Sequence, residues 1–523
     1  MNLEMHPQRW GDPALATSLP ADARGLVELA FGSDTRDGPN AVGTPPAPRI
    51  DPRLVDGLRV LLGGENVLVD DATRTLRTRG KSTPDLLRAR DGDLSDAPDV
   101  VVRPGSTADV EQVLAYAVER GLVVVPFGGG TCVTGGLVAD RGRATGVVSL
   151  DLCRMKRLLA VDRTSMTATL EPGLRGPEAE ALLAAEGLTI GHFPQSFEYG
   201  SIGGFAATRS SGQASAGYGR FDALVVGLTA VTPIGTITLG SAPASAAGPD
   251  LRQLLLGSEG TLGVITSVTV RVRPVPAVKA YEGWRWPSFA AGADAMRTLA
   301  QAGLLPSVLR LSDEAETALN LADPAAVGSA GDPGCLMIAG YEGEPQVVAA
   351  RRAAVTAVLT GLGGTPLGEA PGEKWAHGRF AGPYLRDSLL DEGVLVETCE
   401  TATFWSNREK LYAAVKFALE ASLGEGTIVL CHVSHVYETG CSLYFTVAAR
   451  GGADPLARWL EAKRAASDAM IAAGATITHH HAIGTDHKPW FAQEIGPVGV
   501  RVLRAVKAEL DPTGVLNPGV LIP

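Results

Sequence analysis

The chain has 523 residues, too many for one ordinary core, so two to four structural units are expected. With 45% hydrophobic and 20% charged residues and a mean hydropathy of +0.11, its composition is that of a soluble globular protein. A net charge of −11 without a dense Lys/Arg run excludes nucleic acid as a partner, and no uncharged apolar stretch reaches the roughly 18 residues of a membrane span.

Residues 1–50 are rich in Pro, Gly and Asp around one short apolar helix pattern, ARGLVELAFG, and read as a wrapping arm. Two helical patches, DPRLVDGLRVLLG and STPDLLRARDG, complete an N-terminal segment over 1–95. The opening MNLEMHPQRWGDPA lacks the basic-then-apolar pattern of a secretory leader, and the closing residues 521–523 are no peroxisomal address, so a cytoplasmic location is expected. Six Cys without a CxxC pair predict reduced thiols.

From Asp96 the pattern becomes α/β. DAPDVVVRPGS predicts a strand and turn, and TADVEQVLAYAVERG an amphipathic helix with Thr107 as its N-cap. LVVVPFGGGT is a buried strand running into glycines. GVVSLDL, LLAVD and TATLEPG are short strands, and GPEAEALLAAEG is a helix. The alternation ends near Pro276, which sets a domain over 96–277. A second domain over 278–490 mixes helices such as SFAAGADAMRTLAQAG with strands such as SVLRLSD and CLMIAGYEG. It includes a hairpin, GTIVLCHVSHVY and SLYFTVAAR, turned at ETG. A long helix, DPLARWLEAKRAASDAMIAAG, precedes a histidine run, and 491–523 forms a helix and extended tail packing back on the first domain.

Three stretches carry chemical signals. VVPFGGGTCVTGG, Val124 to Gly136, lets backbone N–H groups approach a phosphate without a Cβ in the way. It is neither a GxGxxG fingerprint nor a P-loop, so taken alone it is a plain turn or a cofactor loop. On the strand Ser442 to Val447, alternation places Ser442, Tyr444 and Thr446 on one face. In ITHHHAIG, an extended backbone puts His479 and His481 on one face and His480 on the other. His432 and His435, three apart on a strand, fall on opposite faces. One face then supplies two imidazoles where a zinc site needs three or four ligands, so no metal is expected.

The glycine loop is followed by GHFPQSFEYGSIGGFAATRSSGQASAGYGRFDALVVGL and LLLGSEGTLGVITSVTVRV. The three in this order resemble the FAD-binding flavoproteins of the vanillyl-alcohol oxidase superfamily. The resemblance implies an α+β protein: a two-subdomain FAD-binding domain and an α+β cap with an antiparallel sheet. It also implies that Pro126, Gly128, Gly129, Gly130, Thr131, Gly135 and Gly136 hold the pyrophosphate. Pro194, Ser201, Gly203, Gly204, Thr208, Ser211, Gly212 and Tyr218 would line the flavin, with Glu259, Gly260, Gly263 and Ile265 completing the site. No His lies in the loop, and Cys132 reads as a packing thiol, so FAD is expected to bind non-covalently.

Within that superfamily, GHFPQSFE, PSVLRLSD, GPYLRDSLL, CSLYFTV, ITHHHAIG and the early RWGDPA are similar to the alkyldihydroxyacetonephosphate synthases, although Gln195 replaces an acidic residue of the animal enzymes. The family's reaction exchanges the acyl group of acyl-dihydroxyacetone phosphate for a fatty alcohol. A proton leaves the ester-bearing carbon, flavin N5 bonds to that carbon, carboxylate departs and the alcohol attacks. The resemblance implies Tyr444 as acid/base, His479, His480 and His481 beside the flavin, Arg386 and Arg310 on an anionic group, and His192 as a site residue. It also implies lipid-like substrates, a homodimer, and reversible docking on the inner membrane face through the 1–50 arm or the loop 322–334. The competing reading is an FAD-dependent dehydrogenase or oxidase of D-lactate or D-2-hydroxyglutarate type. Tyr444 stands where such enzymes have the last His of a Gly-His-x-Gly-Asp-Gly-Asn-Leu-His motif, and HHHAIG replaces their Glu-His-Gly.

Overall fold

The computed structural model describes residues 4–15, 19, 21–32, 41–319 and 333–523. The expected docking loop 322–334 lies outside the described residues except at its last two positions.

Three sheets organise the chain. The first has the order Val67–Leu68, Val100–Val102, Gly146–Asp151, Leu122–Phe127, with the last three parallel. Its strands read as continuous apolar runs because helices Pro52–Leu62 and Thr107–Arg120 cover them; Leu58, Val113, Val124 and Val148 share one core. Helix Thr107–Arg120 is capped by Ser106, whose Oγ accepts from Asp109 N at 3.1 Å, so Thr107 is the first helical residue and not the cap. Strand Val67–Leu68 and helix Pro52–Leu62 belong to this layer. Residues 52–68 are therefore part of the first domain, and the expected boundary near 96 moves back to about residue 50.

The second sheet is antiparallel, in the order Leu158–Asp162, Thr167–Leu170, Val264–Arg271, Val225–Thr232, Gly235–Leu239. Together the two sheets form the two-subdomain half of an α+β fold. The third sheet is antiparallel and seven-stranded: Thr365–Gly368, Val278–Trp286, Cys335–Gly343, Val308–Ser312, Ile428–Val433, Gly440–Arg450, Val394–Phe404. Helices Phe289–Gln301, Arg408–Leu423 and Pro455–Ala472 cover one face through Leu299, Leu411, Val415 and Trp459.

Alternation positions the site. In Gly440–Arg450, Leu443, Phe445 and Val447 point into the helix-covered core, each contributing about 1.5–3 kcal/mol by burial. That anchoring fixes the register and turns Tyr444, Thr446 and Ala448 to the opposite face, where a cavity opens against the first two sheets. The tail closes the molecule: Val124 N donates to Val515 O at 2.8 Å, and Asn517 Nδ2 donates to the carbonyls of Gly136 and Glu259 at 3.0 and 2.7 Å. All six thiols are free, and no described helix is long and apolar enough to cross a membrane.

Candidate active site

One cavity of about 580 Å³ runs between the glycine-rich loops and the cap sheet. Strand Leu122–Phe127 delivers Gly128–Gly130 to its wall. A Cβ at Gly128 would overlap Ser201 Oγ, and one at Gly129 would overlap the carbonyl oxygen of Tyr199. Gly130 sits at φ +69°, where a side chain is strained. Ser201 caps helix Ile202–Thr208, its Oγ accepting from Gly204 N at 3.2 Å. Cavity-lining polar atoms are left without a partner among the described residues, namely Arg310 Nε and Gln213 Oε1. Bare backbone closed off by glycines, with orphaned donors and acceptors beside it, fits a large polar cofactor such as FAD.

Of the residues expected around the flavin, Pro126, Gly128–Thr131, Gly136, Pro194, Ser201, Gly203, Gly204, Thr208, Ser211, Glu259, Gly260, Gly263 and Ile265 line this cavity. Four expected positions fall elsewhere. Gly135 faces Thr485 and Asp486. Gly212 packs against Phe193 N and His192. Tyr218 turns away, donating to Glu342 Oε2 at 2.9 Å beneath the Arg273 guanidinium. His192 is walled in by Phe205 and Phe221 and bonded to Ser210 Oγ at 3.1 Å. Burial pushes its imidazole down to about 3, so it stays neutral and outside the cavity. The Glu259 carboxylate, although at the wall, accepts from Ile483 N and Gly484 N at 2.9 Å each and so ties the flavin-side loop to the segment after the histidines.

The cap side is set by three adjacent strands, whose register places His432, Tyr444 and Glu400 in a row. The Tyr444 hydroxyl donates to Thr398 Oγ1 at 3.1 Å, and its ring stacks on His432 with centroids 4.8 Å apart. Burial holds its phenol above the usual range. Among the described residues its hydroxyl has Thr398 Oγ1 as hydrogen-bond partner, and burial outweighs the positive groups nearby.

The histidine run is bent, not extended. Glu400 accepts from the backbone N–H groups of His479 at 2.8 Å, His480 at 3.0 Å and His481 at 2.9 Å, and from the Thr478 hydroxyl. This wrap breaks the alternation: His480 and His481 both line the cavity, while His479 turns to Tyr437 at 2.6 Å and to His480 at 3.0 Å. Burial opposes the Glu400 charge, yet His480, His481 and His479 hold its carboxyl well below the usual range. Strand Ile428–Val433 ends before His435, so the opposite-face argument does not apply to it. His435 stacks on His479 at 4.8 Å and bonds Ser215 Oγ at 2.6 Å and Ser211 Oγ at 3.0 Å. One ring nitrogen each from His435, His479 and His480 lies within 4.8 Å of the others.

Both predicted arginines reach the cavity. Arg386 spends three of its five N–H groups on Asp387 and the Lys81 carbonyl. Arg310 donates to Glu316 Oε1 at 2.5 Å. Thr398 and Lys81, unmarked in the sequence, also line it, as do His432 and His435, considered in the sequence only as metal ligands; Glu316 and Glu400 stand behind the wall, bonded to His432 and to the histidine run. Burial lowers Lys81 to about 8, and its ammonium donates to the carbonyls of His6 and Pro7, pinning the N-terminal arm. The cavity's far end is apolar: Val27 and Phe31 of helix Ala21–Phe31 meet Leu385, Leu389, Val396, Ile428 and Ala448.

The fold and this cavity define an FAD-dependent protein of the FAD-linked oxidase type. Residues 98–240 match the FAD binding domain family and residues 275–521 the family of FAD linked oxidases, C-terminal domain. The fold is shared with p-cresol methylhydroxylase with substrate bound, at 18% identity, TM-score 0.70, and 92% and 98% coverage of the two chains. The chain is 34% identical to the alkyldihydroxyacetonephosphate synthase of Dictyostelium discoideum over 91% of its own length and 82% of the relative. A solved alkyldihydroxyacetonephosphate synthase superposes with TM-score 0.85 at 29% identity, covering 99% of each chain. The chain belongs to the alkyldihydroxyacetonephosphate synthase family, and FAD is its cofactor.

Proposed function

We propose that this protein exchanges the acyl group of acyl-dihydroxyacetone phosphate for a fatty alcohol, forming an ether bond with no net redox change. The supporting observation is one continuous cavity with two unlike ends. At one end stand Tyr444, His432, His480, His481, Arg310 and Arg386. At the other, apolar side chains from helix Ala21–Phe31 and three cap strands form a wall suited to an alkyl chain. An amphiphile with an anionic head fits both.

Bound FAD would supply the centre that holds the carbon skeleton while its oxygen substituent changes; Gly128–Gly130, Ser201 and Gly203–Gly204 would hold it. Non-covalent binding fits a glycine loop without His and a Cys132 thiol that burial and Glu259 push up to about 11. Around the reacting carbon, Arg386 offers its two remaining N–H groups to the anionic head. Tyr444 is the acid/base group beside that carbon, and the carboxylate departs as an anion. His480 and His481, held by Glu400, hydrogen-bond substrate oxygens. The test is to incubate holoenzyme with palmitoyl-dihydroxyacetone phosphate and hexadecanol. Equimolar palmitate and ether-linked product are expected; the absence of both overturns the reading.

A further inference from the structure

The early RWGDPA stretch meets the helix that carries Arg386, Gly382–Asp391. Arg9 forks onto Asp391, Nη1 donating to Oδ2 at 2.8 Å and Nη2 to Oδ1 at 3.1 Å. Trp10 N donates to Asp387 Oδ2 at 2.5 Å, across 377 residues of chain. The Trp10 ring packs edge-on against Tyr199, in one cluster with Met5 and Tyr384, and stands on the cavity wall. Gly11 turns the arm at φ +61°, where a Cβ would overlap the Tyr384 hydroxyl, so the passage requires glycine.

This contact changes how Arg386 is held. An arginine beside a carboxylate commonly forks onto both oxygens, with bonds of about 2.7–2.9 Å. At Asp387, which is buried, Trp10 N occupies Oδ2, and Arg386 brings Nε and Nη2 onto Oδ1 alone, at 3.2 and 3.0 Å. The pair is long and one-sided. Arg386 Nη1 donates to the Lys81 carbonyl at 2.6 Å, and Lys81 Nζ donates in turn to the carbonyls of His6 and Pro7. Both anchors of the guanidinium are thus bonded to the backbone of residues 6–10. One hydrogen on Nη1 and one on Nη2 remain without a partner among the described residues, on a side chain that lines the cavity. A permanently charged fork whose own carboxylate is shared with another donor suits a second anion. In the proposed substrate the phosphate is the anion present from the start, since the carboxylate forms only on departure.

Resting on the synthase reading, we propose that residues 6–11 form a strap whose Trp10 N–H competes with Arg386 for Asp387 and so keeps the guanidinium available to the phosphate head of the substrate. Trp10 and Asp387 are positioning residues, and Arg386 makes the contact. With the strap displaced, Asp387 Oδ2 is freed, the fork closes as it does between Arg9 and Asp391, and Arg386 turns from the cavity. The strap therefore sets affinity for the charged head and leaves the bond changes at the ester-bearing carbon to other groups.

The experiment compares wild type, Gly11→Ala, Asp387→Asn and the double variant as FAD-loaded full-length enzymes. Hydrogen–deuterium exchange over residues 4–12 reports the strap. Calorimetry gives Kd for dihydroxyacetone phosphate and for neutral dihydroxyacetone, and turnover with palmitoyl-dihydroxyacetone phosphate and hexadecanol gives kcat and KM. Gly11→Ala is expected to speed exchange of the strap amides at least about tenfold, because the new Cβ is strained and overlaps Tyr384. It should weaken dihydroxyacetone phosphate and raise KM by about tenfold or more, with kcat and binding of the neutral ketone within about threefold. Asp387→Asn leaves no charged fork to close, so adding Gly11→Ala to it should cost less than about threefold in Kd. A Kd in Gly11→Ala within about threefold of wild type overturns the proposal, as do equal losses in both backgrounds, which a merely structural arm would give. Strap amides as protected in Gly11→Ala as in wild type overturn it too. Should Gly11→Ala fail to hold FAD, Arg9→Ala, which cuts the fork on Asp391, is read against the same limits. Wild type that makes ether beside an unaffected variant sinks the strap alone; wild type that neither binds dihydroxyacetone phosphate nor makes ether sinks the synthase reading itself.

Discussion

Replacing Glu400 with Gln should loosen the histidine run without removing any side chain from the cavity. The carboxylate collects the N–H groups of three successive residues and the Thr478 hydroxyl. A Gln oxygen in the Oε1 place keeps those bonds but makes them neutral, and its amide nitrogen in the Oε2 place meets the His479 N–H, donor against donor. Bonds to a charged acceptor contribute about 1.5–3 kcal/mol against about 0.5–1.5 for neutral ones, so the net local loss is about 2–4 kcal/mol. By hydrogen–deuterium exchange, protection of the 476–484 peptide should fall about 30- to 700-fold, at about 1.4 kcal/mol per decade. The sign with pH follows from the depressed carboxyl: its contribution is full above the ordinary carboxylate range and is lost only as pH falls through the lower folded value. Protection in wild type, corrected for intrinsic rates, should stay flat from pH 8 to pH 5. Protection in Glu400→Gln within threefold of wild type would refute the reasoning.

Three further substitutions separate roles within the site. Tyr444→Phe should keep the flavin spectrum and lose on the order of 10²–10⁴ in kcat; near-full activity would remove the phenol from the chemistry. Gly129→Ala should yield colourless protein, since the new Cβ overlaps the backbone carbonyl of Tyr199; a full complement of FAD by absorbance would show that the loop is not the cradle. His192→Gln should hold kcat within a few-fold, because the ring lies in an aromatic cage behind the wall. A 100-fold loss with FAD retained would return His192 to the catalytic set.

Much of the fold is legible in the residues. Periodicity marks Thr107–Arg120, the strand into Gly128–Gly130, the hairpin carrying Tyr444, and the helix before the histidines. Strand Val394–Phe404 escapes because both of its faces carry acid: Glu397 accepts from Thr83 N at 2.5 Å while Glu400 gathers the histidine run, so no alternation survives in VLVETCETATF. The same carboxylate explains the misjudged histidine faces, since alternation holds only for a backbone that bonds to neighbouring strands. His432 and Glu316 are 116 residues apart, and a pairing made by tertiary packing leaves no spacing to read. Arg386 is the reverse case: Asp387 beside it in sequence is its partner in space.

The central claim is that this flavin site exchanges one oxygen substituent for another and consumes no oxidant. The most direct measurement is anaerobic turnover of holoenzyme with palmitoyl-dihydroxyacetone phosphate and hexadecanol, counting product while recording flavin absorbance, beside samples given D-lactate or D-2-hydroxyglutarate. The account predicts many equivalents of ether per enzyme without an electron acceptor, and a flavin left oxidised by either hydroxy acid. Lasting bleaching by a hydroxy acid, with no ether formed, would contradict it.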